Sequence, residues 1–224
     1  MEILSRLQRE ILKAFVGLAD RDAFYLTGGT ALSAFFLRHR RSHDLDFFTS
    51  SEELIPTFSQ RLEDVLAKNN LKLSRLRGFH SFIEIEVGSA EEQTLVHFAL
   101  DSPFRFEEPT LSDEISGLRV DSLIDMATNK LLALFGRAAL RDFVDVYFLC
   151  RELFTKEALI EKCKLKDPGF DLYWLGVAME KCEEFEDDDG DLLLLVRSCR
   201  LNDLREYFRS WRREIQRALG AGNK

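Results

Sequence analysis

The chain has only four cysteines in 224 residues, and no two stand as Cys-x-x-Cys. Cys150, Cys163, Cys182 and Cys199 are scattered through segments of helical periodicity. That distribution excludes a disulfide framework and favours buried free thiols in a reducing compartment over structural zinc. A basic excess is also missing. Lys and Arg number 31 against 39 Asp and Glu, a formal net charge of −8, which argues against a broad duplex-reading surface but leaves room for a local basic patch. No apolar run approaches the length of a membrane span. The opening Met-Glu-Ile-Leu-Ser-Arg-Leu-Gln-Arg-Glu is amphipathic and mixed in charge, unlike a secretory signal. A cytoplasmic protein with no membrane attachment is therefore expected. Of the four histidines, no two have the spacing of ligands on one helix face, which sets aside a zinc hydrolase. Gly-x-Ser-x-Gly and Gly-x-x-x-x-Gly-Lys-Ser/Thr elements are absent, as are internal repeats.

What is present is a globular composition, 46% apolar and 31% charged. The length suits one large domain or one domain with a smaller companion, and buries a core without staples. Ile3, Leu4, Leu7, Ile11, Leu12, Phe15 and Leu18 have helical spacing. Ala23–Thr27 reads as a short buried strand ended by Gly28-Gly29, after which residues 30–37 resume a helical pattern. Asp44–Thr49 reads as a second strand. Ser50 and Glu53 form a candidate capping box for a helix running to about Lys68. Strands at 71–76, 81–87 and 94–100 are expected to meander antiparallel. Residues 101–119, with Pro103, Pro109 and Gly117, form a connection, with a short strand at Leu118–Val120. From Asp121 the pattern is helical: about 122–136, 139–151, 155–164, 170–184 and 198–218. The expected class is α+β, with residues 1–117 an α/β domain and 118–224 a helical domain.

The chemistry concentrates at residues 26–48. Asp44 and Asp46 are two apart, which on a strand puts both carboxylates on one face while Leu45 and Phe47 turn to the core. Adjacent carboxylates repel unless a cation lies between them. Mg²⁺ prefers hard oxygen ligands and keeps positions open for phosphate. Solvated acids on an edge strand are the plainer alternative. Gly28-Gly29 allows close approach of backbone to a ligand before a helix start; an ordinary tight turn is its plainer alternative. Together, strand, Gly-Gly, helix and Asp-x-Asp strand are more specific than either part.

Gly28-Gly29-Thr30-Ala31-Leu32 and Arg40-x-Ser42-x-Asp44-Leu45-Asp46-Phe47 resemble the AbiEii/AbiGii-type nucleotidyltransferase toxins of the polymerase-β superfamily. Lys130-x-x-Ala133-x-x-x-Arg137 with Arg141-Asp142-x-x-Asp145 is similar to that family's helical motifs. The resemblance spans about residues 24–150. It implies a polymerase-β-like mixed sheet with flanking helices, followed by a helical C-terminal domain. It implies Mg²⁺-dependent transfer of NMP from an NTP to an RNA, tRNA included, or to a protein, by the toxin of an abortive-infection pair with a cognate antitoxin. Gly28, Gly29 and Thr30, joined by Arg40, Ser42, Lys130 and Arg137, would bind the nucleotide. Asp44 and Asp46 would hold the metal, and Asp142 or Asp145 would complete the cleft. A competing reading pairs Arg137 and Arg141 with Asp142 and Asp145 as a joint between helices.

One position departs from the family pattern. Where a third carboxylate is expected on a later strand, His97 stands. A histidine suits a general base, or marks a weakened enzyme that binds nucleotide or RNA without turnover. Glu84 and Glu86 share a face of the preceding strand and are substitutes for the missing acid, or a solvated face. His39 and His43 are candidate phosphate contacts or plain loop residues. Trp174 with Tyr173, and Trp211 with Phe208, are expected to pack between helices.

Overall fold

The computed structural model describes residues 2–221; the outermost ends of the two expected domains, residue 1 and residues 222–224, lie outside the described residues. The chain divides into two compact units, one reaching to Leu123 and one starting at Ile124.

The first unit begins with α1 (Arg6–Val16). The Ser5 hydroxyl accepts from the Gln8 N–H and the Gln8 side chain accepts from the Ser5 N–H, closing a capping box. Glu92 adds a third cap, taking the Ser5 hydroxyl at 2.7 Å and the Leu7 N–H at 2.8 Å. Then follow β1 (Phe24–Thr27), α2 (Gly28–Leu32), a π-helical turn (Ser33–Leu37), β2 (Asp44–Thr49) and α3 (Leu54–Lys68). Next come β3 (Lys72–Gly78), β4 (Phe82–Gly88), β5 (Gln93–Leu100), β6 (Thr110–Leu111) and β7 (Arg119–Val120). The capping box expected at Ser50 and Glu53 does not form. Glu53 is the N-cap residue with no side-chain hydrogen bond, so the helix is capped three residues later than expected, and in the turn before it the Thr49 hydroxyl accepts from the Ser51 N–H at 3.0 Å.

Among the described residues the strands make one mixed sheet in the order β3-β4-β5-β2-β1-β7-β6. β3, β4 and β5 meander antiparallel, β2 joins β5 in parallel, and β1 pairs antiparallel with β2 and parallel with β7. α1 and α3 pack against each other and against one face of the sheet. There the chain spends its phenylalanines: the Phe15 and Phe47 rings stack at 4.1 Å, Phe24 and Phe58 meet at 4.4 Å, and Phe47 and Phe98 at 5.4 Å. All five are fully buried. Such rings bring large apolar areas plus edge and stacking preferences, which fixes the face that β2, β4 and β5 turn inward.

The second unit is helical: α4 (Leu123–Gly136), α5 (Leu140–Glu152), α6 (Lys156–Lys166), α7 (Leu172–Glu180), α8 (Gly190–Leu193) and α9 (Leu201–Ala221). Its core holds Phe143, Phe208 and Trp211, so Trp211 and Phe208 pack as expected. Tyr173 and Trp174 do not. Both are 59% exposed, because the helix turns Leu175 and Met179 inward and leaves the neighbouring positions to solvent. The four cysteines are free thiols; Cys163, Cys182 and Cys199 are buried and Cys150 partly so. Burial pushes the Cys150 and Cys199 thiols up to about 11 and the Cys163 and Cys182 thiols up to about 12, leaving them uncharged and unreactive. No helix among the described residues is long and apolar enough to cross a membrane.

Candidate active site

Alternation along β2 places Leu45, Phe47 and Thr49 in the interior and Asp44, Asp46 and Phe48 on the opposite, half-exposed face. The two carboxylates therefore share one side of the sheet. The Gly28 bend abuts them. Gly28 has φ +75°, and a Cβ built on it would fall 2.1 Å from Asp46 Oδ2. Only glycine accommodates both the left-handed backbone and the carboxylate against it. A Cβ on Gly29 would fall 2.5 Å from Arg40 Nη2 and 3.3 Å from Ser42 Oγ. A guanidinium therefore lies over the second glycine, with the Ser42 hydroxyl beside it.

Local chemistry explains how the loop between the bend and β2 holds this shape. The Ser33 hydroxyl donates to the Arg40 carbonyl and accepts from the Arg40 N–H. Arg40 Nη1 donates to the Arg41 carbonyl at 3.0 Å. The Gln8 side chain donates to the Ser42 carbonyl at 2.8 Å, tying α1 to the loop. The Thr30 hydroxyl donates to the Asp44 carbonyl and is buried, so this hydroxyl fixes the start of β2 instead of reaching toward a ligand. His39 is fully buried, which removes it from the candidate phosphate contacts. His43 is exposed beside the loop.

Strand register carries the site across the sheet. Thr27 lies opposite Asp46, Asp46 opposite His97, His97 opposite Glu84, and Glu84 opposite Arg77. These residues form a single polar row over five strands. His97 Nδ1 is 2.8 Å from Asp46 Oδ1, His97 Nε2 is 3.4 Å from Glu84 Oε1, and Arg77 Nε is 3.1 Å from Glu84 Oε2. Burial disfavours a charged His97 ring, but the hydrogen bond to Asp46, the charges of Asp46 and Asp44 and the bond to Glu84 outweigh it, so its pKa lies above the ordinary histidine value. Glu84 is thus partnered on both sides rather than solvated.

The row continues past Thr27 into residues the sequence did not single out. The Thr27 hydroxyl donates to Asp121 Oδ2 at 2.5 Å. Asp121 Oδ1 takes the Arg105 guanidinium, which also donates to Asp101 at 2.7 Å and to the Tyr25 hydroxyl at 2.5 Å. The guanidinium carbon stands 4.5 Å from the Tyr25 ring centre. Burial first, then Asp101, raises the Tyr25 pKa, so the hydroxyl stays protonated. Arg105 lies in the irregular connection, where periodicity carries no signal. Its only trace in the sequence is a charge amid phenylalanines.

The helical candidates meet one another in the second unit. Lys130 Nζ is 2.7 Å from Asp145 Oδ2 and 3.8 Å from Asp142 Oδ1. Arg137 holds Asp142 with two bonds, at 2.7 and 2.8 Å. Both carboxylates are fully buried. Arg137 therefore makes the α4–α5 joint that was its competing reading. The Arg141 backbone N–H donates to the Asp191 carboxylate at 3.3 Å.

Two carboxylates on one face, half-exposed and beside a backbone that carries no Cβ, suit a Mg²⁺ that takes its remaining oxygens from water and phosphate. Among the described residues no three His, Cys, Asp or Glu side chains form a ready-made cluster.

Solved structures of the same fold include JHP933 of Helicobacter pylori, with TM-score 0.56 at 19% identity over 98% of each chain. They also include the nucleotidyltransferase toxin MenT4 of Mycobacterium tuberculosis, with TM-score 0.56 at 14% identity over 96% of this chain and 91% of that one. An uncharacterized protein of Aquifex aeolicus is 31% identical over 166 residues, 72% of this chain and 76% of its own. Residues 10–192 match the family described as nucleotidyl transferase AbiEii toxin, type IV TA system. With most of its length matched, from α1 through α8, the chain belongs to the AbiEii nucleotidyl transferase toxin family of type IV toxin–antitoxin systems.

Proposed function

We propose that the protein is a Mg²⁺-dependent nucleotidyltransferase that moves NMP from an NTP to an RNA or protein acceptor, as the toxin of an abortive-infection pair with a cognate antitoxin. The observation that carries this reading is the contact of the Gly28 bend with Asp46. It sets the half-buried Gly28 backbone directly against a carboxylate on the solvent-facing side of β2, where a metal and the phosphates it carries would meet. Gly28 and Gly29 admit the phosphates, with the Arg40 guanidinium over Gly29 as their counter-charge. Asp44 and Asp46 would hold Mg²⁺, which when bound offsets charge on the phosphates. The acceptor oxygen bonds to the α-phosphorus as the bond to the pyrophosphate oxygen breaks, and the acceptor proton is released. His97 is held between Asp46 and Glu84 beside that position, and it keeps the Asp46 carboxylate turned by binding Oδ1. The Lys130, Arg137, Asp142 and Asp145 group would serve the reaction through the fold of the second unit. A cytoplasmic setting goes with this reading.

The test is incubation of the protein with total RNA and each α-labelled NTP in turn. Label transfer that needs Mg²⁺ and disappears in Asp44→Asn and Asp46→Asn is expected. Undiminished transfer by both variants, with wild-type melting curves, would refute the assignment. A second reading draws on His97 standing beside Asp46 where an acid is expected: the protein binds nucleotide without turning it over. Calorimetry that finds tight Mg-NTP binding, with no transfer to any RNA or protein pool, selects it.

A further inference from the structure

One row beyond the acids, the same open face changes character. Phe48 lies opposite Ala99 in the parallel β2–β5 pair, and Ala99 lies opposite Phe82 in the antiparallel β5–β4 pair. Residues paired in register share a face, so two rings flank a methyl group on the side that carries Asp46 and His97. All three are half-exposed. Strands lie about 4.8 Å apart, which sets the Phe48 and Phe82 backbones about 9.6 Å from each other. A planar ring stacked on both sides needs about 7 Å between its neighbours, at contact distances of about 3.5 Å. An inward lean of about 1.3 Å by each ring would bring the walls to that spacing, and Ala99 leaves the floor open. The Phe82 ring is already tilted against His97 at 5.7 Å. At the far end of the polar row Arg77 is largely exposed while its Nε pairs with Glu84.

Position along the strands decides which ring belongs here. Gly28 and Gly29 follow Thr27, which is opposite Asp46, and β1 and β2 run antiparallel. The bend is therefore level with Asp44 and Leu45, while Phe48 is on the other side of Asp46, about 7 Å along the strand. The acids separate the bend from the aromatic row. In an in-line displacement the leaving and attacking oxygens stand on opposite sides of the phosphorus. With the triphosphate at the bend, the acceptor approaches from the aromatic side.

We infer that Phe48, Ala99 and Phe82 form a nucleobase slot that takes the terminal base of an RNA acceptor. The choice of acceptor over NTP rests on the transferase reading, while the slot itself rests on the register. Base–aromatic stacking tolerates any base, since every base has a π-face, so the slot holds an RNA end without reading its sequence.

The experiment uses the full chain and a 5′-labelled single-stranded RNA of about six nucleotides, beside the same oligomer ending in an abasic nucleotide. Anisotropy titrations without NTP give the two affinities. The wild type is expected to prefer the intact end by about tenfold, equivalent to about 1.4 kcal/mol. Phe82→Ala removes one wall. Ala99→Ile fills the floor with a residue that suits a strand. Both are expected to lose the preference while keeping a cooperative melt. A wild type indifferent to the terminal base overturns the slot, as does an Ala99→Ile protein that keeps the preference. Label transfer to a protein acceptor at equal rates in wild type and Ala99→Ile overturns it too. Label transfer by the wild type is measured in parallel. A kept base preference with no label transfer from any α-labelled NTP retains the slot and fells the transferase reading; label transfer with no base preference does the reverse.

Discussion

Thr27, the last residue before the glycine bend, is anchored by Asp121: its hydroxyl donates to a carboxylate that is 1% exposed and also holds Arg105. A buried charge is stable only while paired and hydrogen-bonded. The Arg105–Asp121–Thr27 chain therefore ties the irregular connection to the strand that delivers Gly28.

Asp121→Ala should consequently cost about 2–3 kcal/mol, the scale for a hydrogen bond to a buried charge. Arg105 keeps Asp101 in this variant, which holds the loss below that of a fully stranded cation. Urea unfolding measures it. A change under about 0.5 kcal/mol would show that the anchor carries no stability.

Gly28→Ala meets two penalties, a methyl group aimed at Asp46 Oδ2 and a left-handed backbone that costs an L-residue about 1–2 kcal/mol. Label transfer should fall about a hundredfold or more, the loss seen when a positioned electrostatic group is displaced. Gly136, around which a Cβ would meet nothing within 4 Å, is the control. Gly136→Ala should transfer as the wild type does.

The α4–α5 joint predicts an order of costs. Arg137 is 53% exposed on its side chain, whereas Lys130 is 10% exposed and meets fully buried carboxylates. Lys130→Ala should destabilise by about 3 kcal/mol, because it removes a partner from buried charge. Arg137→Ala should cost about 1 kcal/mol, screened by solvent. The reverse order in denaturant titrations would remove the joint as the purpose of the pair.

Glu92 gives a pH dependence with a defined sign. The Leu7 N–H first, and then the Ser5 hydroxyl, hold its carboxyl below the usual glutamate value. A depressed folded pKa means that the contribution to stability is complete above the ordinary value of 4.5 and is lost as pH falls through the folded pKa. The carboxyl is half-buried at the surface, where solvent screens it, so the effect should stay within about 1 kcal/mol. Glu92→Gln should flatten that part of the acid limb when unfolding midpoints are compared from neutral pH downward. Parallel acid limbs in both proteins would dissociate the carboxylate from the cap.

Much of the fold was legible because it depends on local periodicity. Leu7, Ile11, Leu12 and Phe15 of the expected apolar face lie in α1, whereas Ile3, Leu4 and Leu18 fall outside it because Ser5 and Gln8 cap the helix one turn into the pattern and Gly17 ends it. The alternation of β2 put Asp44 and Asp46 on one face before any partner strand was known. The antiparallel meander of β3, β4 and β5 followed from short turns between neighbouring strands. Local signals failed at the start of α3, where the Ser50–Glu53 pair matched a capping box and the helix is instead entered from Glu53 with no side-chain cap. They failed again where exposure depended on helix rotation, as at Tyr173 and Trp174.

By itself the sequence determined which residue types could do chemistry and on which face of their own element they stand, because helix and strand periods are properties of the backbone. Only the tertiary structure decided who stands beside whom. Register between distant strands set His97 next to Asp46 and Ala99 between two phenylalanines, and a buried Asp121 drew Arg105 out of the connection to hold the bend. Those pairings depend on a core whose phenylalanines choose the inward face, and a shift of one residue in register would turn every one of them over.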